Sequence, residues 1–535
     1  MSLEKIKLTD YDNVVAVTQV AINQTMGEYL AAHPTDVALY GKEDGDTGNV
    51  ILVPDAKDAD YIFTGKLAPE KVGGTWINIV QLYTDKGNQT VQYNATFKSG
   101  EFKVVATNRV YKQDSNTPWV FEFFVKLAMQ EVAKSDLPDE IKRKLINVDE
   151  NMFSIQQLYL DLNMSSLASA EGIKVPSLIK SAMTAMVQGH LAQQQKQHKP
   201  LFGVTVHFKD KNVSPPTLTP TNVNFCVTPY RDGTGNISNH NLDTLNYLVM
   251  TNHHPPPAFP PQSFPFNWVS DVNNHGAMAI KQRPFAEFIV GPLNPLLKIL
   301  CPVVHCKPDV HKTPDQQQID FDPGTDHVFE SAYDDATGKI AFCNYESSDD
   351  KTSRDRDNFG HMYSESLKAN YRMSCEVFLN KDTDRLKISG SITIDASHGG
   401  DLGDGNRWTE VMPKTIYPWS VELQLYMDPS NNGQLDFKVV SKDFDRPPTV
   451  EKHEESAWEK FLNGFGGQHY VENVGNVRAH VRDHVTGSVA DALQKALEKA
   501  NHFIFPGAKT FTFKNPTFTD SRDLASNITY LNPNA

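Results

Sequence analysis

Residues 471–502 read VENVGNVRAHVRDHVTGSVADALQKALEKANH, and the architecture expected of this chain follows from that stretch. Val477, Val481, Val485, Val489, Leu493 and Leu497 recur every four residues, which on a helix makes one nearly straight apolar stripe. Arg478, Arg482, Asp483, Asp491, Lys495, Glu498 and Lys499 fall between them and keep the other face wet. Phe505-Pro506-Gly507 closes the element. Valine is a middling helix former, and Gly487 costs about 1 kcal/mol relative to Ala. Propensity alone does not hold such a helix; burying six aliphatic side chains at roughly 1.5–3 kcal/mol each does, before the entropy of ordering is subtracted. The stripe therefore needs something long and apolar to lie on: other helices in a bundle, or a sheet.

Its neighbours are strands. Tyr371, Met373, Cys375 and Val377 alternate with polar residues, as do Leu386, Ile388, Ile392 and Ile394, with Gly390 marking a bend or a close approach. Trp419, Val421, Leu423, Leu425 and Met427 repeat the pattern, and Leu435, Phe437 and Val439 follow. Residues 327–347 predict a hairpin turning at 334–338, and 347–358 a charged, solvated loop. A sheet with one apolar face must cover it, and a helix at 473–502 can do so.

The first half has a similar plan. Residues 12–17 are apolar, and a helix follows from Thr18 to Pro34. Residues 61–111 predict an antiparallel meander with turns at 85–88 and Ser99-Gly100, and Val91, Tyr93, Ala95 and Phe97 share a face. Residues 119–134 and 138–145 read as helices; 153–163 fits strand or helix. A second long helix at 176–197 carries the stripe Ile179, Met183, Met186, Val187, His190 and Leu191. A proline-containing join is placed at 198–220, and the second half begins with strands at 202–208 and 223–227. The cluster 253–265 is irregular by necessity, and 285–304 predicts a buried hairpin or short helix. The expected fold is thus α+β in two halves, 1–200 and 201–535, each ending in a long helix wrapped by curved antiparallel sheet.

The 535 residues carry 51 Lys and Arg against 65 Asp and Glu, a net charge of −14, which disfavours nucleic acid as a partner. The start, MSLEKIKLTDYD, lacks the apolar core of a secretory signal, and no run of about 18 apolar residues predicts a membrane span. Five cysteines, all after residue 225, form no disulfide framework and fit a reducing compartment. The expected location is cytoplasmic, or exported without a signal peptide. Cys301, His305, Cys306 and His311 are metal-ligand types at a spacing that matches no usual zinc motif. Asp401 to Asn406 lacks the ligand pattern of a calcium loop. No phosphate loop, dinucleotide fingerprint or nucleophile elbow occurs, so neither cofactor nor catalytic residues are assigned.

Several stretches resemble one family. YDNVVAVTQVAIN at 11–23, FSIQQLYLDLN at 153–163, LNYLVMTNHHPPP at 245–257 with Phe266-Asn267-Trp268, and FPGAKTFTFKNPTFTDSRDLASNITY at 505–530 are similar to the non-toxic accessory proteins encoded beside clostridial botulinum neurotoxins in orfX-type clusters. The resemblance implies the tubular lipid-binding (TULIP) architecture and supplies no catalytic residues. The function expected is non-catalytic binding of a lipid or other apolar molecule between helix and sheet, with Val481, Val485, Val489, Met183 and Met186 lining the site. Peripheral membrane contact is compatible with it. Two alternatives stand beside it: a protein-interaction or toxin-accessory role with a closed tube, and an enzyme acting on an apolar substrate.

Overall fold

The computed structural model describes residues 3–32, 38–53, 61–135, 153–196, 201–208, 218–450 and 511–530, with internal breaks of up to six residues. The stretch 471–502 lies outside the described residues, and so do Val481, Val485, Val489 and the helix expected at 138–145. The chain divides into two compact units, one drawn from Met1–Lys281, Ile504–Asn515 and Ala525–Ala535, the other from Gln282–Phe503 and Pro516–Leu524.

The first unit carries all but the edge residues 516–518 and 524 of a six-stranded sheet in the order Pro220–Thr228, Thr244–Thr251, Asn13–Thr18, Gly276–Ile280, Leu524–Tyr530, Phe511–Phe518. Asn13–Thr18 is buried on both faces, which is why its sequence runs apolar without alternating. Helix α1, Gln19–Ala32, follows at once. Its side chains stand in for a strand: Asn23 Oδ1 accepts from the Ile79 and Val80 amides at 2.8 Å each, Asn23 Nδ2 donates to Val80 O at 2.8 Å, and Gln19 Oε1 accepts from Leu82 N at 2.7 Å. The backbone of 79–82 is thereby satisfied beside a helix.

A nine-stranded sheet completes the unit. Its main path is Leu201–Phe208, Phe153–Ser169, Trp119–Glu131, Thr90–Val104, Tyr61–Leu67, Ala38–Glu43, Val50–Val53, and Val80–Gln81 and Arg109–Lys112 pair with Thr90–Val104. Two readings of the sequence are corrected here. Residues 119–131 are strand, not helix: Trp119, Phe121, Phe123, Val125 and Leu127 are buried in strict alternation, and period two outweighs the helix-compatible run FEFFVKLAMQE. Ser99-Gly100 is not a turn either. The strand runs through it, and a Cβ on Gly100 would sit 2.6 Å from Trp119 Cε3, so the glycine makes room for an indole.

This sheet curls into a half-barrel. Helix α2, Ser177–Lys196, packs against Phe153–Ser169 and also against Val50–Val53. Those strands are five steps apart in the sheet. Laid flat, five steps span about 24 Å, twice the width of a helix, so only a curved sheet brings both to one helix.

The second unit is built on an eight-stranded sheet: Glu330–Asp334, Lys339–Arg356, Met362–Leu379, Arg385–Asp401, Thr415–Asp428, Gln434–Asp443, with Arg407–Val411 and Thr449–Val450 attached. The anticipated loop at 347–358 is strand as far as Arg356, paired residue for residue with Met362 onward. Its side chains are exposed or half-buried, which is what gave it a loop's composition. Helix α3, Gln282–Leu300, replaces the expected hairpin or short helix. Phe285, Ile289, Leu293, Leu297 and Leu300 bury one face, and Pro284 sits harmlessly in the first turn. Tyr371 Oη donates to Leu300 O at 2.9 Å at its end.

Among the described residues there are three α-helices, of 14, 20 and 19 residues. The expected general plan of long helices wrapped by sheet is therefore not supported. Among the described residues the architecture is mostly curved antiparallel sheet with a half-barrel. None of the described helices is long and apolar enough to cross a membrane.

Candidate functional site

The concave face of the half-barrel can be traced from register. A Cβ on Gly41 would lie 2.4 Å from Met186 Sδ, so Gly41 faces α2. Gly41 pairs with Phe63, and Phe63 with Phe102. Directly paired residues share a face. Gly65 lies on the same face two residues from Phe63, and its missing side chain is replaced by the rings of Phe97 and Phe63. Phe97 pairs with Trp119, Ala95 with Phe121, Tyr93 with Phe123 and Val91 with Val125. The face turned toward α2 is thus a ladder of aromatic rings. Phe63 and Phe97 meet edge to face at 5.8 Å, and Phe97 and Phe121 at 5.9 Å.

From α2, Ile179, Met183, Met186, Val187, His190 and Leu191 are buried, while Leu178 stays 81 % exposed. The stripe read from the sequence is the buried face. Met183 and Met186 lie at its centre, and Gly189 approaches Leu52 of the far strand, where an added Cβ would be 3.5 Å from Leu52 Cδ1. Burial pushes the Tyr93 phenol up to about 12, so it is neutral at physiological pH. The named residues make an apolar wall whose most deformable parts are two thioethers.

Sequence reading found the α2 stripe and the face of Val91, Tyr93, Ala95 and Phe97. It missed Phe121 and Phe123, hidden in the stretch taken for helix, and it missed Phe63. The alternation of residues 119–127 was the available signal. Val481, Val485 and Val489 lie outside the described residues.

The metal-type residues of the second unit do not converge. Among the described residues no group of three or more His, Cys, Asp or Glu is placed to hold a metal ion. Cys301 hydrogen-bonds with Cys343, raising the first thiol's pKa and lowering the second's. Cys343 pairs across strands with Cys375, which burial holds well above the ordinary thiol value. His305 faces Asp322 at 3.4 Å and His311 faces Asp355 at 3.0 Å. Cys306 N donates to Asp349 Oδ2 at 2.8 Å, and burial pushes its thiol up to about 12.

Two carboxylates the sequence did not single out are buried in the six-stranded sheet. Asp12 accepts from Thr251 N at 2.9 Å and Thr251 Oγ1 at 3.0 Å, and pairs with His254 Nδ1 at 2.8 Å. Asp243 accepts from Tyr230 N and pairs with His240 Nδ1, each at 2.8 Å. Burial raises the Asp243 carboxyl above its usual value against those hydrogen bonds. Each pair ties a loop to a strand end. The Asp12 link joins residues 242 apart, beyond the reach of any local motif.

No family model matches the chain, and no curated protein matches it. Solved structures do. P47 of Clostridium botulinum E1 aligns over 98 % of this chain and 99 % of its own, at 10 % identity and a TM-score of 0.46. P47 from Clostridium botulinum A2 aligns over 97 % and 96 %, at 12 % identity and 0.45. Lipopolysaccharide binding protein aligns over 98 % and 100 %, at 9 % identity and 0.30. Two of these three are clostridial proteins, the source of the family that the sequence resembled. At these scores the likeness says nothing of ligands or partners, so what the chain does has to be read from its own residues.

Proposed function

We propose that the chain binds a lipid or comparable apolar ligand, without catalysis, along α2 inside the half-barrel. The observation that supports this reading is the double contact of α2 with strands five steps apart, with Met183 and Met186 buried on α2; we take the space between helix and sheet as the ligand trough. An apolar chain entering it would leave water at about 0.8 kcal/mol per methylene. Thioethers change rotamer at little cost, so the trough can fit tails of differing shape. Val481, Val485 and Val489 belong to the same proposal as a second lining, on sequence grounds alone.

Native mass spectrometry of the whole protein, before and after solvent extraction and after incubation with liposomes, tests it. A co-purifying species that extraction removes and liposomes restore is expected; no bound species and no uptake overturns the reading. One observation favours the alternative of a closed interior and a functional surface. The glycines at 41, 65 and 100 are already filled by Met186, by Phe63 and Phe97, and by Trp119. Failure of uptake would leave that accessory, protein-binding role as the better account.

A further inference from the structure

In the six-stranded sheet, the segment between Thr251 and Ser263 leaves the sheet and returns to it at fixed points. On the way out, Asn252 and His253 take left-handed backbone angles, φ 48 and 56, uncommon for residues with side chains. They are held there by His253 N donating to Thr221 Oγ1 at 3.1 Å, His254 N to Thr251 O at 2.8 Å, and the His254–Asp12 pair. On the return, Ser263 Oγ donates to Val227 O at 3.0 Å and Phe264 N to Thr228 Oγ1 at 3.2 Å. Phe264, Phe266 and Trp268 then interlock at centroid distances of 4.9–5.3 Å. The excursion is staked on both sides.

Its crest has an unusual composition. Pro255, Pro256 and Ala258 are exposed, and Phe259 is 79 % exposed. No Asp, Glu, Lys or Arg occurs from Thr244 to Ser270, in a chain whose net charge is −14. Between Pro255 and Phe259 only Ala258 and Phe259 carry a backbone N–H, and Pro260 and Pro261 follow in sequence. A segment with no charge and few donors loses little when water is replaced by a medium that cannot hydrogen-bond. An exposed phenylalanine gains from the same exchange.

We propose that the crest Pro255–Phe259 is a docking point for the interface of an electrically neutral lipid bilayer, with Phe259 as the inserting side chain. Proline-rich ligands of aromatic grooves present the same rings, so a proline-recognising partner is the competing outcome of the test below. Among the described residues the other strongly exposed phenylalanine, Phe359 at 87 %, supplies the contrast. It sits in a turn beside Asp355, Arg356, Asp357 and His361, where burial would strand charges.

The proposal uses no residue of the half-barrel interior, so lipid extraction and membrane attachment can succeed or fail separately. The full chain is floated with phosphatidylcholine vesicles. Co-flotation is expected, unchanged by an about tenfold rise in salt because no charge pair carries it. Phe259→Asp lowers the floated fraction at least about threefold with an unaltered melting curve, because the side chain is exposed. Phe359→Asp leaves it unchanged. Phe259→Trp shows a blue-shifted emission difference on adding vesicles, as indole favours the interface. Wild-type protein that stays in the aqueous layer, salt-sensitive flotation, a silent Phe259→Asp, or a Phe259→Trp difference spectrum unmoved by vesicles overturns the assignment. Retention on a proline-recognising domain in place of vesicles would give the crest to a protein partner, and overturns it too.

Discussion

The nine-stranded and eight-stranded sheets both contain glycines where a strand pattern calls for a side chain, and the two use them differently. In the first, the space over Gly41 is taken by the end of Met186, and that over Gly100 by the Trp119 ring. In the second, a Cβ on Gly390 would lie 2.2 Å from the Ser374 carbonyl oxygen, 3.0 Å from Trp419 Cζ2 and 3.1 Å from Cys375 Cα. Gly41 and Gly100 admit side chains, whereas what stands nearest to Gly390 is backbone. Side-chain ends can rotate away, whereas a paired strand cannot, so the space over Gly41 is adjustable and that over Gly390 is fixed. An adjustable interior is what a ligand trough needs.

The largest effect that bears on this contrast is expected at Gly390→Val. The new side chain must displace a paired strand, and a loss of about 3 kcal/mol or more is expected in chemical denaturation. A variant that melts like the parent would show that the close approach is slack. Next comes a mutant cycle in the half-barrel. Met186→Ala should lose about 2–5 kcal/mol as a large-to-small core change. Gly41→Ala added to it should return part of that loss, because its Cβ enters the vacated space. Simple additivity would mean that Met186 does not occupy the space over Gly41.

The smallest expected effect is a titration. Burial raises the folded Asp243 carboxyl above its ordinary value of 3.8, so the folded state keeps this proton to higher pH than the unfolded chain does. The resulting stability is fully present below the unfolded value and is lost as pH rises through the folded one. Asp243→Asn keeps an acceptor for Tyr230 N and should flatten that fall in stability-against-pH curves. Curves of equal slope for parent and variant would assign the pH dependence elsewhere.

Much of this was legible locally. The alternations at 371–377, 386–392 and 419–425 are strands with the anticipated buried faces, Ile394 being only half-buried, and α2 buries the face its spacing marked out. The misread elements share a cause. Residues 119–131 and 347–356 have compositions that suit helix and solvated loop, and both were decided by partner strands that supply backbone hydrogen bonds. Residues 285–300 became one helix despite Pro292 and Pro295, because the apolar positions 285, 289, 293 and 297 bury on a single face.

The sequence by itself determined which residues are apolar, at what period they recur, and where charge is missing, as from Thr244 to Ser270. Those properties follow from side-chain chemistry and the fixed geometry of helix and strand. Only the tertiary structure decided that Gly41 faces Met186, that Asp12 holds His254 across 242 residues, and that one sheet curls until its far strand reaches α2. These are long-range contacts, set by how complete surfaces pack, and no local window of the chain contains both partners.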